Sequence, residues 1–136
     1  MTDSNCIFCK IAEGEIPSRT IVENEDFRVV MDVAPATKGH VLILPKEHYR
    51  NLYDLPEEKA EGAIRMAKKM ALLMKDKLNC AGVNIVQNNE EAAGQTVFHF
   101  HMHVIPRYEQ DEQKIGWKPI SLSDEKLDEV LKIIKE

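Results

Sequence analysis

Three histidines stand at alternate positions in the segment His99-Phe100-His101-Met102-His103-Val104-Ile105. Successive side chains of a strand turn to opposite faces, so His99, His101 and His103 are expected on one face, roughly 6.6 Å apart. Phe100, Met102 and Val104 would then point into a core and hold the strand in place. Three imidazoles in phase support two chemistries. They could ligate a catalytic zinc that keeps an open position for water. Alternatively, one neutral imidazole could attack an electrophile while its neighbours bind charge. The bland alternative, histidines that merely meet solvent, suits one histidine better than three in phase.

Just upstream, Gly94-Gln95-Thr96 supplies a flexible residue, an amide and a hydroxyl. Backbone N–H groups, Gln95 and Thr96 could donate to non-bridging phosphate oxygens. Phosphoryl transfer gains mostly from positioning and charge stabilisation, so such donors beside a nucleophile make chemical sense. An ordinary turn explains the same tripeptide taken alone.

The elements that must position these groups are legible in outline. Ile7 to Glu13 reads as a short helix stopped near Gly14 and Pro17. Ile21–Glu23 and Phe27–Met31 read as strands joined by the polar turn Asn24-Glu25-Asp26, and Val41–Leu44 as a buried strand. The clearest pattern is a helix from about Leu55 to Leu78, with Asp54 as N-cap, Glu57 in the capping-box position and Pro56 in the first turn. Ala60, Ile64, Ala67, Ala71, Met74 and Leu78 mark its core-facing stripe, with Met70 on the edge. Val83–Val86 is the next strand, followed by the loop Asn88 to Gly94. The histidine strand runs from about Val97 to Ile105 and ends at Pro106. A last helix from Ser123 or Asp124 carries Leu127, Val130, Leu131 and Ile134 on one face. Strands, a long helix, more strands and a terminal helix predict an α+β fold with a mainly antiparallel sheet.

At 136 residues the chain fits one domain, residues 1–136, large enough to bury a core without disulfides. Charged residues make up 30% and the net charge is −5, which gives no general electrostatic reason to bind nucleic acid or an anionic membrane. A locally positive site for a small anion remains compatible with that balance. The polar start Met1-Thr2-Asp3-Ser4-Asn5 has no secretory character, and no apolar run approaches the roughly 20 residues of a membrane span. Three cysteines, two in Cys6-Ile7-Phe8-Cys9, make no disulfide framework. In a chain expected to be cytoplasmic, that spacing suggests a metal clip or a redox pair. No strand precedes Cys6 to build a thioredoxin-like context. Cys80 is expected to be a small buried residue.

The histidine segment resembles the His-φ-His-φ-His-φ-φ signature of the histidine triad (HIT) superfamily. Ile7-Phe8-Cys9-Lys10-Ile11, Ile16-Pro17, Asp32 with Ala34-Pro35, Gly39-His40, Leu44-Pro45-Lys46 and Gly94-Gln95-Thr96-Val97 fall in the order that family shows. The N-terminal half is most similar to the Hint-type nucleoside phosphoramidases, and the ending Ile105-Pro106-Arg107 to bacterial HIT proteins and the Fhit branch.

The resemblance implies a five-stranded, mainly antiparallel sheet with one long helix and a C-terminal helix, two such sheets joining as a homodimer into one of ten strands. It implies a nucleotide hydrolase or transferase acting through a covalent nucleotidyl-histidine, without metal at the chemical step. His101 would attack the α-phosphorus. The carbonyl of His103 would fix its tautomer, and the His103 side chain would contact the phosphate or leaving group. His40 would support them. Asn88, Gln95 and Thr96 match phosphate-contact positions, with Thr96 where Hint proteins carry serine. Asp32 would receive the ribose hydroxyls, and Ile7, Phe8 and Ile11 would wall a purine base. From the residues alone, Asp32 suits a turn or cap better, and the three apolar residues suit a core equally well.

The expected reaction releases a nucleoside monophosphate from an amine or phosphate leaving group. Alternatives are a dinucleoside polyphosphate hydrolase, or a nucleotide-binding scaffold whose hydrolysis is incidental. Some bacterial HIT proteins also close a structural zinc site, which here would comprise Cys6, Cys9, His48 and His99. Trp117 lies where Hint proteins send a C-terminal segment towards the partner's site, but the sequence around it fits only loosely, and it receives no role.

Overall fold

β3 (Val41–Pro45) carries apolar side chains on both faces, and every residue in it is buried. That is the mark of a strand covered on two sides. In this computed structural model, which describes residues 2–136, it is the central strand of a five-stranded antiparallel sheet. The strands are β1 (Thr20–Glu23), β2 (Phe27–Met31), β3, β4 (Gly82–Val86) and β5 (Met102–Arg107), in spatial order β1-β2-β3-β5-β4. Val41 and Ile43 face the long helix α2 (Glu57–Leu78), in one core with Phe27, Val29, Phe100 and Val104. Leu42 and Leu44 face the other way. They pack with Val30 and Ala12, against which Phe8 and Ile11 of the short helix α1 (Ile7–Ala12) rest.

This two-sided arrangement positions the histidines. β5 lies between β3 and β4, with Leu42 opposite His103 and Val41 opposite Val104. Val104 therefore enters the α2 core, while His103 emerges with Leu42 on the α1 side. Phe100 is 1% exposed and Met102 packs against the same core, as the alternation predicts. β5 is shorter than the expected Val97–Ile105, because residues 97–101 make no ladder. There the Phe100 N–H donates to the Tyr49 carbonyl, and the ring of His99 takes the carbonyl of Pro45 at the end of β3.

Several local expectations are corrected. Asp54 does not cap α2. Its carboxylate accepts from the N–H groups of Arg50 and Asn51 in the preceding turn, and Pro56 stands at the helix N-cap without a side-chain bond. The buried stripe is Ala63, Met66, Ala67, Met70 and Met74, rotated from the predicted one, so Ile64 is left 51% exposed. Gly62 explains the rotation. A Cβ there would lie 2.9 Å from Phe27 Cε2, so the glycine lets the helix approach the buried ring. Cys80 is only partly buried, against the expectation of a buried residue.

The turn at Asn24 is as expected, its side chain accepting from the N–H groups of Asp26 and Phe27. The C-terminal helix α3 (Asp124–Lys135) begins at Ser123, whose hydroxyl accepts from the Lys126 N–H. Leu127, Val130, Leu131 and Ile134 lie on it, but all are exposed, so its apolar face does not pack against the rest of the chain. Among the described residues no helix is long and apolar enough to cross a membrane.

Candidate active site and metal cluster

On the α1 side of the sheet a cleft of about 580 Å³ opens between α1, the segment after β2 and the loop before β5. His101 and His103 line its floor; Ile7, Phe8 and Ile11 form an apolar wall; Asp32, Asn88 and Thr96 lie around its rim. The sequence-predicted residues are thus largely brought together. Two are not in the wall. Gln95 is 2% exposed, and its amide is spent on structure: Oε1 accepts from Asn51 and from the Glu90 N–H, while Nε2 donates to the carbonyls of Arg50 and Val97. Its backbone N–H donates to the Glu90 carbonyl. It therefore holds the loop and has no donor left for phosphate, which corrects the expected direct contact. His40 sits behind His103, and its Nε2 is hydrogen-bonded to His103 Nδ1.

The protonation pattern follows from fixed hydrogen bonds. His101 Nδ1–H donates to the His99 carbonyl at 2.8 Å, leaving Nε2 with a free lone pair. The expected acceptor was the carbonyl of His103; the residue two positions earlier supplies it instead. A second chain runs through His40. The backbone N–H of Ala36 donates to His40 Nδ1 at 2.9 Å, so the proton of neutral His40 lies on Nε2. That Nε2–H donates to His103 Nδ1, also at 2.9 Å, which places the proton of His103 on its own Nε2. No sequence signal announces Ala36, because only its backbone takes part.

Burial keeps these rings neutral. It is the main cause holding His101, His103 and His40 below the ordinary imidazole pKa of 6.5, His103 at about 4. For His103 the neighbouring His101 and His40 add to the effect, and Asp32 opposes it for all three. The 3.4 Å approach of Asp32 Oδ2 to His40 Nε2 is therefore a contact with a neutral ring at neutral pH. The other Asp32 oxygen accepts from the Ala34 N–H, so the turn role and a place at the cleft coexist. The rings of His101 and His103 lie 5.1 Å apart, and Phe8 meets His101 edge-on at 5.0 Å.

His99 belongs to a different group. The donor atoms of Cys6, Cys9, His48 and His99 all lie within 4.8 Å of one another. His99 Nδ1 is 3.4 Å from Cys6 Sγ and 3.3 Å from Cys9 Sγ, and His48 Nδ1 is 3.3 Å from Cys9 Sγ. His99 Nε2–H donates to the Pro45 carbonyl at 3.0 Å, so the lone pair of Nδ1 faces the sulfurs. Two thiols and two imidazole nitrogens at these separations fit a tetrahedral metal ion. Burial pushes the Cys9 thiol up to about 11, the cost of a thiolate there without a cation beside it.

Comparison with known proteins agrees with this geometry. Residues 13–110 match the model of the HIT domain. A crystal structure from Streptococcus mutans superposes with a TM-score of 0.93 at 38% identity, covering 98% of this chain and 85% of that one. A zinc-bound histidine triad family protein from Mycobacterium smegmatis superposes with a TM-score of 0.78 at 38% identity, covering 85% and 84%. The adenosine 5′-monophosphoramidase of Saccharomyces cerevisiae is 40% identical over 118 residues, 85% of this chain and 71% of its own. On this match of sequence, fold and histidine arrangement, the chain belongs to the HIT family.

Proposed function

We propose that this protein is a homodimeric cytoplasmic nucleotide hydrolase that releases a purine nucleoside monophosphate from an amine, through a covalent intermediate on His101. The observation that carries the reading is the His101 ring itself. Its Nδ1–H is tied to a backbone carbonyl and its Nε2 is unprotonated on a cleft lined by Asn88 and Thr96. The similarity to a yeast adenosine 5′-monophosphoramidase supports an amine as the leaving group.

In the first step the Nε2 lone pair of His101 forms a bond to phosphorus as the phosphorus–nitrogen bond to the amine breaks. His103 Nε2–H gives its proton to the departing amine, and the imidazolate left on His103 is offset by the positive nucleotidyl-imidazolium of His101, whose ring lies 5.1 Å away, until the second step. In the second step water attacks the nucleotidyl-histidine. His103 Nε2 takes back a proton, and the monophosphate leaves with its bond to His101 broken. Asn88 and Thr96 hold the phosphate oxygens, Asp32 the ribose hydroxyls, and Ile7, Phe8 and Ile11 the base. An apolar wall selects poorly between purines, so base preference is modest.

Cys6, Cys9, His48 and His99 would hold a structural zinc. Bound there, the ion supplies a cross-link between α1 and the histidine segment and takes no part in the bond changes at phosphorus. The test is direct. Wild-type protein mixed briefly with adenosine 5′-phosphoramidate and quenched in alkali should yield an adenylylated peptide carrying His101. His101→Ala should lack the adduct and lose turnover by several orders of magnitude while still binding AMP. Full activity in that variant, or no adduct in the wild type during turnover, overturns the reading.

A further inference from the structure

A second cavity, about 600 Å³, lies beside the histidine cleft and shares Ile7, Thr96 and Val97 with it. Thr96, placed above at the phosphate, is thus a partition between two spaces. The far wall of the second space is unlike an anion receptor, although it contains an arginine. Arg50 lies over the ring of Phe98, its Cζ 4.2 Å from the ring centroid. Glu90 grips it in a bidentate pair, Nε at 3.1 Å and Nη2 at 2.8 Å.

Glu90 itself is fixed. It adopts φ +74°, ψ 160°, a region rarely taken by residues other than glycine, and is held there by Asn51 on its carboxylate and by Gln95 on its N–H. Two consequences follow. The arginine charge is already compensated, so an incoming anion gains little. The bidentate pair orients the guanidinium, which lies over the ring of Phe98 and turns its other side outward, and the edge of that ring, 36% exposed, adds to the same surface. A planar cation stacked on an aromatic ring recognises flat π systems.

We propose that this cavity is the leaving-group subsite and that it takes a planar aromatic ring. A substrate would then place its nucleotide in the histidine cleft and its aromatic leaving group across Thr96, on the Arg50–Phe98 platform. The inference rests on the hydrolase reading above and names the leaving group that reading leaves open. An aromatic amine and the second base of a dinucleoside polyphosphate share the required chemistry.

The experiment compares kcat/KM for two adenosine 5′-phosphoramidates, one of an indolylethylamine and one of butylamine. In parallel it compares diadenosine triphosphate with adenosine triphosphate. A ratio within one enzyme preparation is independent of how much of the sample is active. The wild type should favour the aromatic member of at least one pair by roughly tenfold, expressed mainly in KM, the size of one aromatic stack. The favoured pair tells the amine from the nucleotide. Phe98→Leu and Arg50→Met, which keep the bulk and lose the flat faces, should bring that ratio towards one.

A wild-type ratio within twofold in both pairs overturns the subsite, as does a ratio untouched in both variants. If the wild type turns over no phosphoramidate and no dinucleotide, the hydrolase reading fails and takes the subsite with it. Turnover without aromatic preference removes the subsite alone.

Discussion

In the proposed mechanism a single proton on His103 Nε2 separates a general acid from a spectator, and backbone geometry puts it there. The chain from the Ala36 N–H through His40 to His103 uses two hydrogen bonds in fixed sequence, each donor filling the acceptor nitrogen of the next ring. A leaving group that needs no proton should therefore bypass it. For His103→Ala, turnover of an alkyl phosphoramidate is expected to fall about 10²- to 10⁴-fold, the usual worth of a placed acid. Turnover of a nucleotide ester with a nitrophenolate leaving group should fall far less. His40→Leu should show the same leaving-group dependence in weaker form, because it disturbs the tautomer and leaves the ring of His103 in place. Equal losses for both leaving groups would assign these residues to the fold. The proximity of imidazole residues was readable from their period-two spacing. Which nitrogen of each ring carries hydrogen was not, because the deciding partners are main-chain groups at Ala36 and His99.

The cysteine–histidine cluster and the loop before β5 carry two further expectations. Cys6 and Cys9 sit at the start of α1, whose side chains Ile7, Phe8 and Ile11 wall the cleft, while His99 leads into β5. A zinc ion there would tie the base wall to the catalytic segment. Elemental analysis should find zinc bound near one per chain, and a strong chelator should lower the melting temperature before it lowers activity at a permissive temperature. In Cys9→Ala both the metal and the chelator effect should be lost. An unchanged melting temperature on complete zinc removal would exclude the structural role.

The second expectation concerns Glu90. Its bonds to Arg50 and Asn51, in that order, hold its carboxyl at about 2, below the ordinary 4.5. A depressed acid stabilises the fold fully above its unfolded value and loses that contribution as pH falls towards the folded one. The difference in melting temperature between wild type and Glu90→Gln should thus be largest above pH 4.5 and shrink between 4.5 and about 2. A difference independent of pH in that window would remove the charge from the account. At this scale the sequence read the strands well, since alternation and all-apolar runs are local. It misplaced the face of α2, because the contact deciding the rotation is Gly62 over Phe27, and a glycine carries no hydropathy signal.

One protomer leaves much apolar surface in water at its C-terminal end. Trp117 is 89% exposed and Ile120 82%, and the apolar positions of α3 are open along its length. Large apolar side chains exposed in such number at one end of a chain are expected at an association site. Sedimentation at micromolar concentration should therefore give twice the chain mass of 15.5 kDa. Removal of residues 123–136 should shift the equilibrium towards monomer. A wild-type monomer at that concentration would refute the homodimer.

By itself the sequence determined the inventory: three histidines in phase, a cysteine pair, and a strand apolar on both faces. Each of these depends on spacing along the chain, and spacing survives without a structure. The family resemblance implied that His99 joins the cysteines while His101 and His103 serve the cleft, and the structure places them so. Only the tertiary structure decided which ring nitrogens carry protons and that Gln95 is spent on the loop. It also brought Arg50, Phe98 and Glu90 together from positions up to 48 residues apart. Those outcomes depend on which donor meets which acceptor once the sheet has closed, and partners distant in sequence leave no periodic trace.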